Sequence, residues 1–313
     1  MKARTAVLLP CYNEAVTIGQ VVADFRAALP DAVVYVFDNA SDDDTAAKAR
    51  AAGAVIVPSP RRGKGNVVRH MFRTVDADLY VMADGDGTYP AHAAPELIRA
   101  LEQTDADMVV GTRLQHSAPK SFRSLHGLGN RVISGLISSL FSASLTDVLS
   151  GYRVFRRHFV RTLYLRSSGF EIETEITLQA LVKERDILEV PVPYGARPEG
   201  SHSKLRTWSD GALVLKSILL IFRDYKPLAF FSCVAGVCFV LGLLAGWLPV
   251  KDYIETRFVS HVPLALLAAA LEVLAVLFQG IGLILNAIKR FHQENQEMMS
   301  AILKRFDQDH EGP

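Results

Sequence analysis

Residues Leu228 to Trp247 carry no charged side chain, and a helix of about twenty apolar residues matches the hydrocarbon thickness of a bilayer. Hydrocarbon offers no water to pair backbone groups, so such a segment is helical. A second apolar run, Val262 to Ile288, is interrupted only by Glu272, Gln279 and Asn286. The 14 residues between the runs hold Lys251, Asp252, Glu255 and Arg257. The two runs therefore form a membrane hairpin. Arg223 and Lys226 precede it and Lys289 and Arg290 follow it, which by the positive-inside rule predicts both termini in the cytosol. Glu272 inside the second run costs a few kcal/mol if it is charged and faces lipid. It is expected to face the partner helix or another subunit of a homo-oligomer, or to be protonated.

The rest of the chain reads differently. The formal net charge is +1, which excludes a nucleic-acid partner held by a general basic field, so any bound phosphate must be gripped locally. Cys11, Cys233 and Cys238 form neither a metal-ligand spacing nor a disulfide framework. The N-terminal apolar run stops at Pro10, too soon for a secretory signal, and reads as a first strand.

Short β-branched runs at Thr5–Leu9, Val33–Phe37, Val55–Val57, Leu79–Ala83 and Met108–Gly111 alternate with helical patterns such as Ala15–Ala28 and Lys64–Thr74. This alternation predicts an α/β domain with a mainly parallel, Rossmann-like sheet. Ligands bind such sheets at the carboxyl ends of the strands, where Asn13-Glu14, Asp38 to Asp44, Asp84 to Thr88 and Arg113 all fall. Further on, a helix is expected near Leu128–Phe141, a turn at Ser150-Gly151, a helix near Ile172–Glu184 and a strand near Ile187–Val192. The segment Trp208–Lys226 has the apolar and basic faces of a helix lying in the membrane interface. The expected divisions are 1–207 for the α/β domain, 208–227 for the interfacial helix, 228–288 for the hairpin and 289–313 for a helical tail.

Asp84-Gly85-Asp86-Gly87-Thr88 follows the apolar run Leu79–Ala83. Two carboxylates at i and i+2 beyond a strand can turn toward one hard cation, Mg2+ or Mn2+, which prefers oxygen ligands and keeps sites for substrate phosphates. Pro10-Cys-Tyr12-Asn13-Glu14, Asp38 to Thr45 and Arg62-Gly-Lys64-Gly-Asn66 precede it in order, each after a strand. Singly, each has a plainer reading as a helix cap, an acidic first turn or a glycine turn.

Together, over roughly residues 5 to 205, these motifs resemble the inverting family-2 glycosyltransferases of the GT-A fold. The resemblance implies that Pro10, Tyr12, Asn13 and Glu14 line the base and ribose of a nucleotide diphosphate sugar. It further implies that Asp38 bonds the base, that Lys64 lies along the diphosphate, and that Asp84, Gly85 and Asp86 hold the donor and its metal. Gly111-Thr-Arg113, Gly129-Asn-Arg131, Thr146 to Arg153 and Arg197 to Lys204 narrow it to the polyprenyl-phosphate group. Arg113, Arg131, Ser134, Arg153, Arg197, Ser203 and Lys204 are then the expected grip on the lipid phosphate, arginine's planar fork suiting phosphate oxygens. Glu173, in an acidic helix start, is a candidate for positioning sugar or acceptor.

Two departures stand out. The third metal-side ligand of that group, often a glutamine, has no match here unless Thr88 replaces it, and the segment before Ser203-Lys204 carries one extra residue. The activity so implied is inverting transfer of a hexose-type sugar, UDP-linked rather than GDP-linked, to polyprenyl phosphate for envelope glycan, glycoprotein or lipid modification. Its place is the cell (inner) membrane, multi-pass, with the catalytic domain cytosolic. A processive polysaccharide synthase and a catalytically silent nucleotide-sugar or lipid-binding scaffold are the rival readings. The Gln-x-x-Arg-Trp motif of the former is absent, since Thr207 and Gly246 precede the only tryptophans, Trp208 and Trp247.

Overall fold

The computed structural model describes residues 3–113, 130, 133–135, 137–139, 141, 143–195, 197–198, 216, 219–220, 222–224 and 226–310, with backbone alone for 292–310. The chain divides into two compact units, Met1–Ile218 and Leu219–Pro313.

In the first unit β1 (Thr5–Cys11), α1 (Ile18–Ala28), β2 (Val33–Asp38), α2 (Thr45–Ala51), β3 (Val55–Pro58), α3 (Lys64–Thr74) and β4 (Leu79–Met82) alternate. Then come α4 (Ala94–Thr104), β5 (Met108–Thr112), β6 (Arg153–Arg156), α5 (Arg157–Thr162), α6 (Ile172–Val182) and β7 (Ile187–Pro191). The sheet order is β3-β2-β1-β4-β6-β5-β7. All pairings are parallel except those of β6, which runs antiparallel between β4 and β5.

Helices cover both faces, so strands β4 and β5 are buried along their whole length and read as continuous apolar runs. Along β1, Val7 and Leu9 join α1 and α4 through Ile18, Val22, Phe25 and Leu97. Ala6 and Leu8 instead meet Val67, Val68 and Met71 of α3 on the opposite face. The period of two thus divides one strand between two cores. The α3 boundaries match those read from the sequence, whereas α1 starts three residues later than the expected Ala15 because Glu14 to Thr17 form a turn.

Strand β6 was not foreseen, and it corrects one expectation. Val154 and Phe155 point into opposite cores, but Arg153 and Arg156 at its ends disguise the pattern. Arg153 is fully buried. Its guanidinium donates to Ser150 O (2.8 Å), Val148 O (2.7 Å) and Thr177 Oγ1 (2.9 Å). It therefore fastens the 148–150 turn to the sheet and to α6 and is not presented to a lipid phosphate. Burial lowers its pKa to about 10, with Glu173 and Asp147 opposing the shift, and it remains charged at neutral pH.

In the second unit α7 (Pro227–Thr256) and α8 (Val262–His310) are each long and apolar enough to cross a membrane. Apolar side chains such as Val237, Phe239, Leu244, Val276 and Ile284 are exposed along both, as they would be in a hairpin whose solvent is lipid. The two helices meet where glycines remove side-chain bulk: Gly246 approaches Ala268, and Gly282 approaches Leu228 and Phe231. Small residues let membrane helices approach closely. Glu272 faces the partner helix, its carboxylate lying against Gly242. Helix α7 continues past the apolar run through Pro249 into the charged segment expected as loop, where Lys251 and Glu255 pair one turn apart. The predicted helix at 128–141 and the interfacial helix at 208–227 lie largely outside the described residues; those described there are helical except Lys226, which bends before the next helix.

Replacing Arg153 by Met should lower stability by on the order of 3 kcal/mol, because each buried carbonyl left unpaired costs about 1–3 kcal/mol. Thermal unfolding in detergent checks this, and an unchanged midpoint would contradict the structural role.

Candidate active site

The carboxyl ends of β1, β2, β4 and β5 gather most of the residues picked out in the sequence. At the end of β4 the chain turns through Asp84 to Thr88 in close quarters. A side chain at Gly85 would collide with Cys11, and Gly87 has φ +74°. Thr17 Oγ1 of the α1 turn donates to Gly85 O at 2.7 Å. Thr88 donates to Asp86 Oδ1 from both its backbone N (3.0 Å) and its hydroxyl (2.6 Å). The threonine thus orients the carboxylate.

Two cations face these acids. Lys64, the first residue of α3, places Nζ 2.5 Å from Asp84 Oδ1 and 2.6 Å from Glu173 Oε1. Burial alone would favour the neutral amine, but the two carboxylates outweigh it and hold the lysine pKa well above its ordinary value. The ammonium therefore stays charged. Arg197 Nη2 lies 2.5 Å from Asp86 Oδ2, and the aspartate side chain is almost wholly buried. Arg197, expected on the lipid phosphate, pairs here with the second of the two acids.

The glycines around Lys64 serve a packing need. Gly65 N donates to Ser168 O and Gly169 O at 3.1 Å each, and side chains at Gly63 or Gly65 would strike the carbonyls of Ser168 and Ser167. Loop carbonyls therefore crowd the start of α3 and leave glycine as the residue that fits on either side of Lys64. Glu175 accepts from Arg166 N and Ser167 N at 2.8 Å, while Glu171 accepts from Ser168 N and Gly169 N at 3.1 Å. Of the acids in this segment only Glu173 reaches Lys64; the other two hold the loop.

At the opposite side of the cleft Asn13, with φ +53°, accepts from Asp42 N at 2.8 Å and donates its own backbone N to Ser41 Oγ at 3.0 Å. Glu14 N donates to Thr45 Oγ1 at 2.8 Å. Asn13 and Glu14 thus join the loops after β1 and β2. The Arg62 guanidinium lies 4.9 Å from the Tyr12 ring centre. Asp38, in register with Cys11 as Pro10 is with Phe37, has a buried Oδ1 without a hydrogen-bond partner. A buried acceptor left open in this way suits a ligand N–H.

Beyond β5, Arg113 makes a two-pronged pair with Asp147, Nε to Oδ2 at 2.9 Å and Nη2 to Oδ1 at 2.8 Å. Asp147 is fully buried and also accepts from Arg113 N and Asn130 Nδ2. Glu189 in turn accepts from Thr146 N and Asp147 N. Sequence reasoning missed this acid pair, whose only sign was Asp147 inside the Thr146–Arg153 motif. Ser134, expected on the phosphate, is buried and accepts from Val148 N at 3.3 Å. Arg131, Ser203 and Lys204 lie outside the described residues.

Among the described residues no cluster of three or more His, Cys, Asp or Glu side chains forms a complete metal site. Asp84 and Asp86 are hard oxygen donors of the kind Mg2+ or Mn2+ selects, and they fit an ion that takes its other ligands from water and phosphate.

Residues 6–164 match the model of glycosyl transferase family 2. The chain belongs to that family. Glycosyltransferase AglJ of Haloferax volcanii is 31% identical over 95% of this chain and 97% of its own length. The dolichyl-phosphate hexose transferase of the same organism is 29% identical over 71% of this chain and 95% of its own. The undecaprenyl-phosphate mannosyltransferase of Micrococcus luteus is 28% identical over 70% and 93%. In fold, the family-2 chain is similar to glucosyl-3-phosphoglycerate synthase of Mycobacterium tuberculosis, solved with Mn2+, UDP-glucose and phosphoglyceric acid. The TM-score is 0.59 with 21% identity, covering 70% of this chain and 79% of that one. The mostly parallel sheet with its antiparallel β6 is the GT-A fold.

Gly65→Ala should displace Lys64 and lower turnover by about 10²-fold, the penalty expected of a misplacement near 1 Å. Steady-state rates of the purified variant check this; full activity would show that the loop does not set the lysine.

Proposed function

We propose that this chain transfers a hexose-type sugar from a nucleotide diphosphate, UDP in preference to GDP, to polyprenyl phosphate with inversion at the anomeric carbon. The reaction would take place at the cytosolic face of the cell membrane. The observation that carries the reading is the charge arrangement at Asp84, Asp86, Glu173, Lys64 and Arg197, three acids and two cations in contact at one end of the sheet. Relatives named for dolichyl- and undecaprenyl-phosphate transfer, together with two apolar helices, support a lipid acceptor.

The unpaired Asp38 oxygen supports a base that presents an N–H on its pairing edge. Uracil and guanine offer a ring N–H there, whereas adenine and cytosine offer only an exocyclic amino N–H beside a ring acceptor.

The chemistry asks little of a general base. A phosphate monoester has a second pKa of about 6 and is largely dianionic at neutral pH, so the nucleophile arrives already ionised. Mg2+ or Mn2+ held by Asp84 and Asp86 would supply Lewis-acid stabilisation of the departing nucleoside diphosphate. Lys64 holds positive charge beside the diphosphate, and its pair with Glu173 fixes the direction of Nζ. Arg113, oriented by Asp147, presents a planar donor fork to the acceptor phosphate. Arg131, Ser203 and Lys204 remain the further proposed contacts. Two anionic reactants repel, and these cations offset the repulsion when the site excludes water.

Membranes containing the protein, given a panel of radiolabelled nucleotide sugars with Mg2+ or Mn2+, should pass label from one of them into an organic-solvent extract. Label appearing only in insoluble polymer would support a processive synthase, and nucleotide binding without transfer would support a silent scaffold. Asp86→Ala should abolish transfer while leaving the protein folded, as circular dichroism would show. Asp38→Ala should weaken donor binding by at least about tenfold, the scale of one hydrogen bond to a charged group; equal affinity for the UDP-sugar would remove Asp38 from the base site. Arg131→Ala should raise KM for the lipid and spare donor affinity.

A further inference from the structure

Asp86 is almost fully buried, and each of its oxygens is engaged. Thr88 donates twice to Oδ1, and Arg197 Nη2 sits 2.5 Å from Oδ2. A cation arriving at Asp86 Oδ2 therefore meets a guanidinium in the same place. Both are positive, and crowding two charges of like sign beside one buried oxygen is costly.

The segment that carries Arg197 is tied to the rest of the site at neighbouring points. Gly195 N donates to Thr88 O at 3.0 Å, within the same turn that presents Asp86. The Tyr194 ring lies 5.3 Å from that of Tyr89 and 5.6 Å from the Arg113 guanidinium. One short stretch thus touches the metal-side loop, its acidic residue and the arginine at the end of β5. Arg197 remains more than a quarter exposed, so a modest rotation about its long side chain carries the guanidinium away from Asp86 while Gly195 stays anchored.

On the reading given under Proposed function, we infer that Arg197 is the counter-ion that a divalent cation displaces from Asp86, and that the released guanidinium is taken up by a phosphate. Metal and phosphate binding are then coupled through a single side chain. The metal alone binds weakly because it must strip Arg197 from its carboxylate. A phosphate that accepts the guanidinium restores what that exchange costs. Linkage is reciprocal, so the metal strengthens phosphate binding by the same factor. The phosphate is either that of the donor diphosphate or that of the lipid monoester, since both present the same oxygens to an arginine fork.

Mn2+ binding to the full-length protein in detergent, read from the free-ion electron paramagnetic resonance signal, tests this without turnover. Titrations are made alone, with UDP and with farnesyl phosphate. Arg197→Gln should bind Mn2+ alone on the order of tenfold more tightly than wild type, within the range for coupled sites. The same variant should lose part of the strengthening produced by one phosphate ligand. Loss with UDP assigns the guanidinium to the donor, and loss with farnesyl phosphate assigns it to the acceptor. Arg197→Lys, which keeps the competing charge, should follow the wild type. Equal Mn2+ affinity in wild type and Arg197→Gln, or a lysine variant as tight as the glutamine one, overturns the inference. Asp86→Ala separates the two levels. If it leaves Mn2+ binding intact, the metal assignment itself falls; if it abolishes binding while Arg197→Gln stays at the wild-type value, only the exchange falls.

Discussion

A buried carboxylate demands a partner, and most of the catalytic half of this molecule is arranged around that requirement. Asp84, Asp86, Asp147 and Glu173 lie at or near the same end of the sheet, and each is met by a specific cation: Lys64, Arg197, Arg113 and again Lys64. Breaking a buried pair by removing one member costs about 3–5 kcal/mol, since the remaining charge is left uncompensated. The positions of these side chains are consequently tied to one another. The loops between them are held to the same standard, with Glu171 and Glu175 binding four backbone amides of residues 166–169.

This economy of charge has a chemical use. The transfer proposed here joins two anionic substrates, and positive groups fixed in direction before the substrates arrive avoid reorganisation at the moment of reaction, which would raise the barrier. Lys64 is fixed by two acids, and Arg113 by both oxygens of Asp147. The buried Oδ1 of Asp38 is the complementary case, an acceptor without a protein donor.

The fold was legible in the sequence wherever a strand is buried on both faces, because uninterrupted apolar runs followed by polar loops leave little choice. The ends of β1, β2, β4 and β5 could be located for that reason, and with them Asn13, Asp38, Asp84, Asp86 and Arg113. Strand β6 could not be located, since Arg153 looks like a surface residue until the carbonyls of Val148 and Ser150 are brought to it by tertiary folding. The same limit applies to ion pairs. Nothing in the local pattern links Arg197 with Asp86, or shows that alternate glutamates in Glu171 to Glu175 turn to different tasks. Ser134 resembled a phosphate ligand but supports the turn at Val148. Residue type announced the chemistry available, and long-range pairing decided which side chain carried it.

The loop across the start of α3 meets Gly63 and Gly65 through main-chain oxygens. Its grip on the helix therefore does not depend on the identity of the side chains at Ser167 and Ser168. Those two positions are free to diversify while the neighbouring amine keeps its address. Evolution, or a designed library, can in this way redecorate the rim of the cleft without disturbing the apparatus beneath it.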